Sequence, residues 1–98
     1  MLYVISGPPC VGKSTWVRER AKPNDVVIDL DRIALSISAE DTKHHEYPRH
    51  NRLIAVAMRS TAVQLALRIT SKCDVYLIHA KPNDRAKRLY AKHRATHI

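Results

Sequence analysis

The fold of this chain is decided near its N-terminal end by the stretch Gly7-Pro8-Pro9-Cys10-Val11-Gly12-Lys13-Ser14. The stretch matches the pattern Gly-x-x-x-x-Gly-Lys-Ser/Thr of a phosphate-binding loop at every defined position. Gly7 and Gly12 are the only glycines among the 98 residues, so glycine occurs only where this loop needs it. The sequence therefore predicts a phosphate site at this loop.

The residues around the loop supply the strand and the helix that such a motif requires. An apolar run, Leu2-Tyr3-Val4-Ile5, precedes it, and a helical segment from Lys13 to about Arg20 follows. Backbone N–H groups and the helix N-terminus would bind phosphates, Lys13 would reach the outer ones, and the Ser14 hydroxyl would ligate Mg²⁺. We expect ATP or another nucleoside triphosphate, with Mg²⁺, to bind at Gly7, Pro8, Pro9, Cys10, Val11, Gly12, Lys13, Ser14 and Thr15.

Size and composition indicate one domain over residues 1–98, near the lower limit for an independent α/β core. No apolar run approaches the roughly 20 residues of a membrane span, and nothing resembles a signal peptide. Cys10 and Cys73 show neither metal-ligand spacing nor a disulfide framework, which suits a reducing compartment. We expect a cytoplasmic protein without a membrane partner.

The chain is basic, with 17 Lys and Arg against 9 Asp and Glu and a net charge of +8. This balance favours a polyanionic partner but does not name one. Positive charge is concentrated in the C-terminal segment, at Lys81, Arg85, Lys87, Arg88, Lys92 and Arg94. These residues form either a solvated helix face or a phosphate-facing surface.

Strands alternate with helices along the chain. We predict strands over 2–6, 26–28 and 75–78, helices over 13–22, 29–38, 52–70 and 82–94, and a loop over 39–49. The longest helix carries its apolar residues at Leu53, Ile54, Ala57, Leu65 and Ile69. This alternation predicts an α/β fold of three layers, in which helices cover both faces of a small parallel sheet.

The carboxyl ends of parallel strands meet at one edge of a sheet, where ligands bind. The phosphate loop, the segment 29–31 and the segment 79–81 follow the three predicted strands. Asp31 is our choice for the base that accepts a proton from an acceptor hydroxyl. Asp29 would cap the helix or contact Mg²⁺ through water, and Arg32 would steady an acceptor phosphate or is a surface charge.

A histidine follows the third strand, where many phosphate-loop enzymes carry an acidic residue near the metal. His79 would bond to the loop or to a metal-bound water, or it is a structural histidine. A zinc site at His44, His45 and His50 lacks carboxylate or thiol companions.

Two stretches, residues 7–19 (Gly-Pro-Pro-Cys-Val-Gly-Lys-Ser-Thr-Trp-Val-Arg-Glu) and residues 27–37 (Val-Ile-Asp-Leu-Asp-Arg-Ile-Ala-Leu-Ser-Ile), resemble the bacteriophage polynucleotide kinase family. By that resemblance Lys13 and Ser14 match the nucleotide and Mg²⁺ residues. Asp31 falls on the catalytic base that activates the 5′-hydroxyl of a nucleic acid. The specific likeness covers about residues 1–38, and a phage protein would work in the host cytoplasm.

The sequence departs from that family in two places. Ala34 stands where the family has an arginine, with Arg32 the nearest substitute. The family also continues into a further strand and an arginine-bearing lid, and this chain stops at Ile98, where that strand would begin. We therefore expect C-terminal strands and lid to be missing. The chain is a fragment, a partner such as a second copy completes the site, or Arg85, Arg88 and Arg94 replace the lid.

Three functions follow from these observations. The leading one is an ATP-dependent kinase that acts on a hydroxyl, with nucleic acid 5′ ends the favoured acceptor. The second is a nucleotide-binding module with little or no turnover, and the third is a small-molecule or nucleoside kinase.

Overall fold

The computed structural model describes residues 1–7, 12–39 and 47–98. Within these residues, strands and helices alternate as the sequence predicts. They are β1 (Leu2–Ile5), α1 (Lys13–Arg20), β2 (Val26–Asp29), α2 (Leu30–Ser36), α3 (Arg49–Ala66), β3 (Val75–Ile78), α4 (Asp84–Lys92) and β4 (Thr96–His97). The loop residues Pro8, Pro9, Cys10 and Val11 and the histidines His44 and His45 lie outside the described residues.

The described strands form one parallel sheet in the order β2-β3-β1-β4. In the register of this sheet, Ile5 of β1 lies opposite Ile78 of β3, and Ile78 lies opposite Asp29 of β2. The three strands therefore end in one row, and the segments that follow them start from the same edge of the sheet.

Side chains of β3 alternate between two apolar layers and are buried on both faces of the sheet. Leu77 belongs to a layer shared with residues of α3 and α4, among them Val63 and Tyr90. Tyr76 and Ile78 belong to a layer shared with Val17 of α1. Helices thus cover both faces, and the predicted three-layer α/β fold is confirmed.

The C-terminal end of the chain corrects one expectation. The strand expected to begin at Ile98 already includes Thr96 and His97, which pair with β1. After α4 the backbone reverses at Arg94, which has a left-handed φ of 55°. The Ala95 amide then donates to the Tyr90 carbonyl at 3.0 Å and directs the chain to the sheet edge. Glycine usually occupies such a position, so a turn at Arg94 could not be predicted from the sequence.

The larger apolar side chains that indicated α3 lie on its solvent side, because Leu53, Ile54 and Leu65 are 60%, 52% and 53% exposed. The buried residues of α3 are Asn51, Ala55, Val63 and Ala66. Small side chains let α3 pack closely along α2, and the Asn51 amide donates to the Ser38 hydroxyl at 3.0 Å. Periodicity located the helix, but its larger apolar side chains point to solvent.

The bounds of α3 also differ from the prediction. It runs from Arg49, just after Pro48, to Ala66, whereas we expected residues 52–70. Proline has no N–H to lose at a helix start, so Pro48 is compatible with this earlier beginning. Among the described helices, none, α3 included, combines the length and apolar character that crossing a bilayer requires.

Two leucine substitutions test which of these side chains are buried in the core and which face solvent. Leu77→Ala should lower the free energy of unfolding by about 2–5 kcal/mol, because Leu77 is 1% exposed and its removal leaves a cavity. Leu53→Ala, on the exposed face of α3, should change it by no more than about 0.5 kcal/mol. Urea unfolding of both variants measures the difference, and equal losses would contradict the assignment.

Candidate functional site

A cavity of about 630 Å³ opens at the carboxyl ends of the strands. Its volume is within the range of small-molecule sites. Four segments line it: the start of α1, the β2–α2 junction, the start and middle of α3, and the end of β3. Their lining residues are Gly12, Lys13, Ser14, Thr15, Asp29, Leu30, Asp31, Tyr47, Arg52, Arg59, Ile78, His79, Ala80 and Lys81.

The end of the phosphate loop is held in a conformation that favours glycine. Gly12 has φ of 78° and no heavy atom within 4 Å of a Cβ built on it, so backbone strain alone requires glycine there. Gly12 is the N-cap of α1, and its carbonyl accepts the first helical hydrogen bond, from the Trp16 amide at 2.9 Å. The amides of Lys13, Ser14 and Thr15 therefore come before the first amide that donates a hydrogen bond within α1. Amides in this position at a helix N-terminus typically bind anions.

A hydrogen bond ties Lys13 to Gly7, the first residue of the phosphate-loop motif. Its ammonium donates to the Gly7 carbonyl at 2.9 Å. Gly7 is in turn tied to the segment after β3, because its amide donates to the Ala80 carbonyl at 3.3 Å. The loop and the β3 end are therefore held together at the cavity.

Asp29 and Asp31 both line this cavity, with different partners. Asp29 is 5% exposed, is the N-cap of α2, and accepts a hydrogen bond from the Asp31 amide at 3.1 Å. Asp31 is half-buried, and its Oδ1 accepts a hydrogen bond from the Tyr47 hydroxyl at 2.5 Å. The structure thus gives Asp29 the capping contact that we predicted and places the Asp31 carboxylate on the cavity wall.

The oxygen atoms around the cavity fit a Mg²⁺ ion bound jointly with phosphates. Ser14 and Asp29 supply a hydroxyl and a carboxylate, and Mg²⁺ typically takes one or two carboxylates plus substrate phosphate oxygens. Over residues 1–7, 12–39 and 47–98, no three His, Cys, Asp or Glu side chains cluster closely enough to hold a metal by themselves.

Three residues of this cavity were not predicted from the sequence: Tyr47, Arg52 and Arg59. Burial and the carboxylate of Asp31 raise the pKa of Tyr47, and the nearby Arg52 guanidinium opposes that shift. Tyr47 thus contacts Asp31, and Arg52 lines the same cavity. The spacing of Arg52 and Arg59, about two helical turns, is the one sequence signal that could have indicated a shared face.

His79 is a neutral group on the cavity wall. Burial, and secondarily the charge of Arg59, lower the pKa of His79 from 6.5 to about 4. Its Nδ1 is hydrogen-bonded to the Tyr90 hydroxyl at 2.7 Å. At neutral pH this side chain therefore adds no charge at the strand end where an acidic residue often stands.

The other predicted arginines lie away from these residues. Arg32 and Arg18 line a second cavity of about 320 Å³, which adjoins the first at Ser14, Asp29 and Ile78. Side chains of consecutive helical residues such as Asp31 and Arg32 point in different directions. Arg85 and Arg88 are exposed on α4 and line neither of these two cavities. The structure does not bring these three arginines to Lys13 and Asp31.

A family model described as an AAA domain matches residues 2–75. The chain belongs to this family. The match covers the phosphate loop, Asp29 and Asp31, α3 and the first residue of β3. It places this AAA domain protein among the phosphate-loop, kinase-like nucleotide-binding proteins. No curated protein matches the chain.

The pKa of His79 predicts how the stability of this AAA domain depends on pH. The folded pKa is about 4 and the unfolded one about 6.5, so between these values the unfolded chain binds more protons. The stabilisation is fully present above pH 6.5 and is lost as pH falls towards 4. Partial exposure of the imidazole limits the loss to about 1–3 kcal/mol.

Urea unfolding of wild type and His79→Gln at pH 7 and pH 4.5 measures this loss of stability at low pH. The wild type should lose more stability than the variant over that interval, and an NMR titration of the His79 imidazole should give the low pKa directly. Parallel losses in both proteins, with an NMR pKa near 6.5, would refute the assignment.

Proposed function

We propose that this protein is an ATP-dependent phosphotransferase that moves the γ-phosphate to a hydroxyl, with the 5′-hydroxyl of a nucleic acid as the acceptor. The observation that carries the proposal is that Lys13, Ser14 and Asp31 line one cavity. Residues proposed to bind phosphates and a carboxylate proposed to accept a proton thus line the same cavity.

The donor half of the proposed site is the phosphate loop with the start of α1. The amides at the N-terminus of α1 and the Lys13 ammonium would neutralise the triphosphate, which is where negative charge develops during transfer. Ser14 and Asp29 would hold Mg²⁺, which supplies further charge neutralisation when bound. Phosphoryl transfer requires mainly positioning and charge stabilisation, and these residues supply both.

The acceptor half is the Asp31 carboxylate and its neighbours. In the proposed step the hydroxyl oxygen attacks the γ-phosphorus, the bond from that phosphorus to the bridging oxygen of ADP breaks, and the hydroxyl proton passes to Asp31. The Tyr47 hydroxyl holds the carboxylate oxygen at 2.5 Å. The net charge of +8 supports a polyanionic acceptor.

A nucleotide-binding module with little or no turnover is the second candidate. Two observations favour it: His79 is neutral where many related enzymes carry a carboxylate, and Arg85 and Arg88 line neither of the two cavities. Such a module would use the donor half alone, and Asp31 would have no catalytic role.

Transfer of labelled phosphate from ATP to 5′-hydroxyl DNA or RNA distinguishes these candidates. Lys13→Ala should weaken ATP binding and lower transfer by at least about 100-fold, because it removes the ammonium from the phosphates. Asp31→Asn should lower kcat by about 100- to 10,000-fold with ATP affinity retained, because the amide cannot accept the proton. Lys72→Ala and Asp84→Asn, which change exposed residues outside the cavity, are the matched controls.

Two results would contradict the proposed function. ATP binding without transfer to any acceptor would support the binding module and contradict a kinase. Transfer to a nucleoside with none to DNA or RNA would contradict the nucleic-acid acceptor and indicate a small-molecule kinase.

The contact between Tyr47 and Asp31 gives a further prediction. Tyr47→Phe should lower kcat by about tenfold and leave the KM for ATP unchanged, because it frees the carboxylate without touching the donor half. Adding Tyr47→Phe to Asp31→Asn should cause no additional loss, since Tyr47 acts through Asp31.

A double-mutant cycle on kcat measures this coupling, with Tyr3→Phe, which stacks on Tyr76 outside the cavity, as the control. Fully additive losses would show that Tyr47 does not act through Asp31.

A further inference from the structure

His79, the first residue after β3, lines the cavity together with Lys13, Ser14 and Asp31. The proposed transfer step gives this side chain no role. It is half-buried, and its Nδ1 is hydrogen-bonded to the hydroxyl of Tyr90 at 2.7 Å. An imidazole held in this way on the wall of a phosphate-binding cavity is a candidate for contact with the nucleotide.

The backbone holds His79 beside the phosphate loop. Its amide donates to the carbonyl of Ile5, the last residue of β1, at 3.0 Å. The Ala80 carbonyl accepts from the Gly7 amide at 3.3 Å, and the Gly7 carbonyl accepts from the Lys13 ammonium at 2.9 Å. The segment that carries the imidazole is therefore hydrogen-bonded to the start of the phosphate-loop motif, which in turn binds the lysine.

Tyr90 fixes the orientation of the imidazole. Its side chain is 3% exposed and packs in the core layer of Leu77 and Val63. The two rings meet edge to face, with their centroids 5.9 Å apart. Because Nδ1 is turned to this buried hydroxyl, Nε2 is the ring nitrogen that remains for the cavity.

The charge of Arg59 decides which ring nitrogen carries the proton. Burial, and secondarily Arg59, lower the pKa of His79 to about 4, so the imidazole is neutral at pH 7. The same charge opposes the rise that burial causes in the pKa of Tyr90. Hydroxyl dipoles orient in the local field, so the Tyr90 oxygen turns towards the cation and its proton towards Nδ1. A neutral imidazole has one donor and one acceptor, so Nε2 carries the N–H.

A neutral N–H donor on this wall suits a phosphate oxygen. A carboxylate in its place would repel a phosphate unless a cation stood between them, whereas an N–H can donate to the charged oxygen directly. In a phosphate loop the amides bind the inner phosphates of a triphosphate and the lysine reaches the outer ones. The terminal phosphate would therefore extend into the cavity that Lys13, Asp31 and His79 line.

We infer that the Nε2–H of His79 donates a hydrogen bond to the terminal phosphate of the bound triphosphate, and that Tyr90 is the positioning residue that keeps the proton on this nitrogen. His79 thereby makes the site prefer a nucleoside triphosphate to a diphosphate. The inference rests on the proposed nucleotide site, but it requires no transfer of the phosphate.

Calorimetric titration with a non-hydrolysable ATP analogue and with ADP, each with Mg²⁺, measures this preference. His79→Leu should weaken binding of the analogue by about 10- to 100-fold, the effect of a lost hydrogen bond to a charged group, and leave ADP binding unchanged. His79→Gln, whose amide can donate from nearly the position of Nε2, should stay within about threefold of wild type. Tyr90→Phe should give an intermediate loss, because the proton is then shared between the two ring nitrogens.

His97→Leu is the matched control, because His97 is an exposed histidine of β4 that lines neither cavity. It should keep both wild-type affinities, and thermal unfolding of every variant should show that each remains folded. A purely structural role of His79 predicts that His79→Leu weakens the analogue and ADP equally. That result, or unchanged binding of the analogue, would overturn the inference.

Nitrogen-15 NMR of the wild-type imidazole tests the position of the proton without any substitution. The spectrum should show the proton of His79 on Nε2, and the Nε2 signal should move when the analogue binds and stay in place when ADP binds. In Tyr90→Phe the two ring nitrogens should share the proton. A wild-type proton on Nδ1 would contradict the inference whatever the affinities.

These measurements are separate from the test of the proposed function. A triphosphate preference that His79→Leu abolishes supports the inference in a protein that phosphorylates no acceptor. Phosphoryl transfer in a protein whose triphosphate preference survives His79→Leu overturns the inference and leaves the kinase standing. No binding of the analogue to wild type overturns both.

Discussion

The parallel pairing of β1, β2 and β3 in one register is the constraint on which the site depends. Because Ile5, Ile78 and Asp29 lie opposite one another in the sheet, three strands end in one row. The phosphate loop, the β2–α2 junction and the segment after β3 therefore start from neighbouring points. A shift of one residue in any strand would also move each of its side chains to the other face of the sheet and disrupt both core layers, so the core that fixes the fold also fixes the geometry of the cavity.

Local sequence signals were enough to predict the fold. Short apolar runs between helical segments indicated the parallel sheet, which the structure confirms. The phosphate-loop pattern pointed to Lys13, and Asp31 was named because it lies just beyond β2, at the sheet edge where that strand ends; the structure places both residues at one cavity. The two-residue strand β4 was too short for any periodicity, and its preceding turn uses Arg94 in place of glycine.

The rest of the site could not be predicted, because it comes from the orientation of α3. The apolar residues that indicated the helix include Leu53 and Leu65, whereas the helix buries Asn51, Ala55, Val63 and Ala66. Which side of a helix is buried is decided by tertiary packing, which no local pattern reports. The orientation of α3 also brings Arg52 and Arg59 into the cavity.

The central claim is that donor and acceptor meet in the cavity between Lys13 and Asp31. A crystal structure of the protein with Mg²⁺ and a non-hydrolysable ATP analogue tests it most directly. We predict that the terminal phosphate lies about 3 Å from the Lys13 ammonium, with its free face towards the Asp31 carboxylate. A triphosphate bound elsewhere, or one whose terminal phosphate points towards the cavity of Arg18 and Arg32, would contradict the claim.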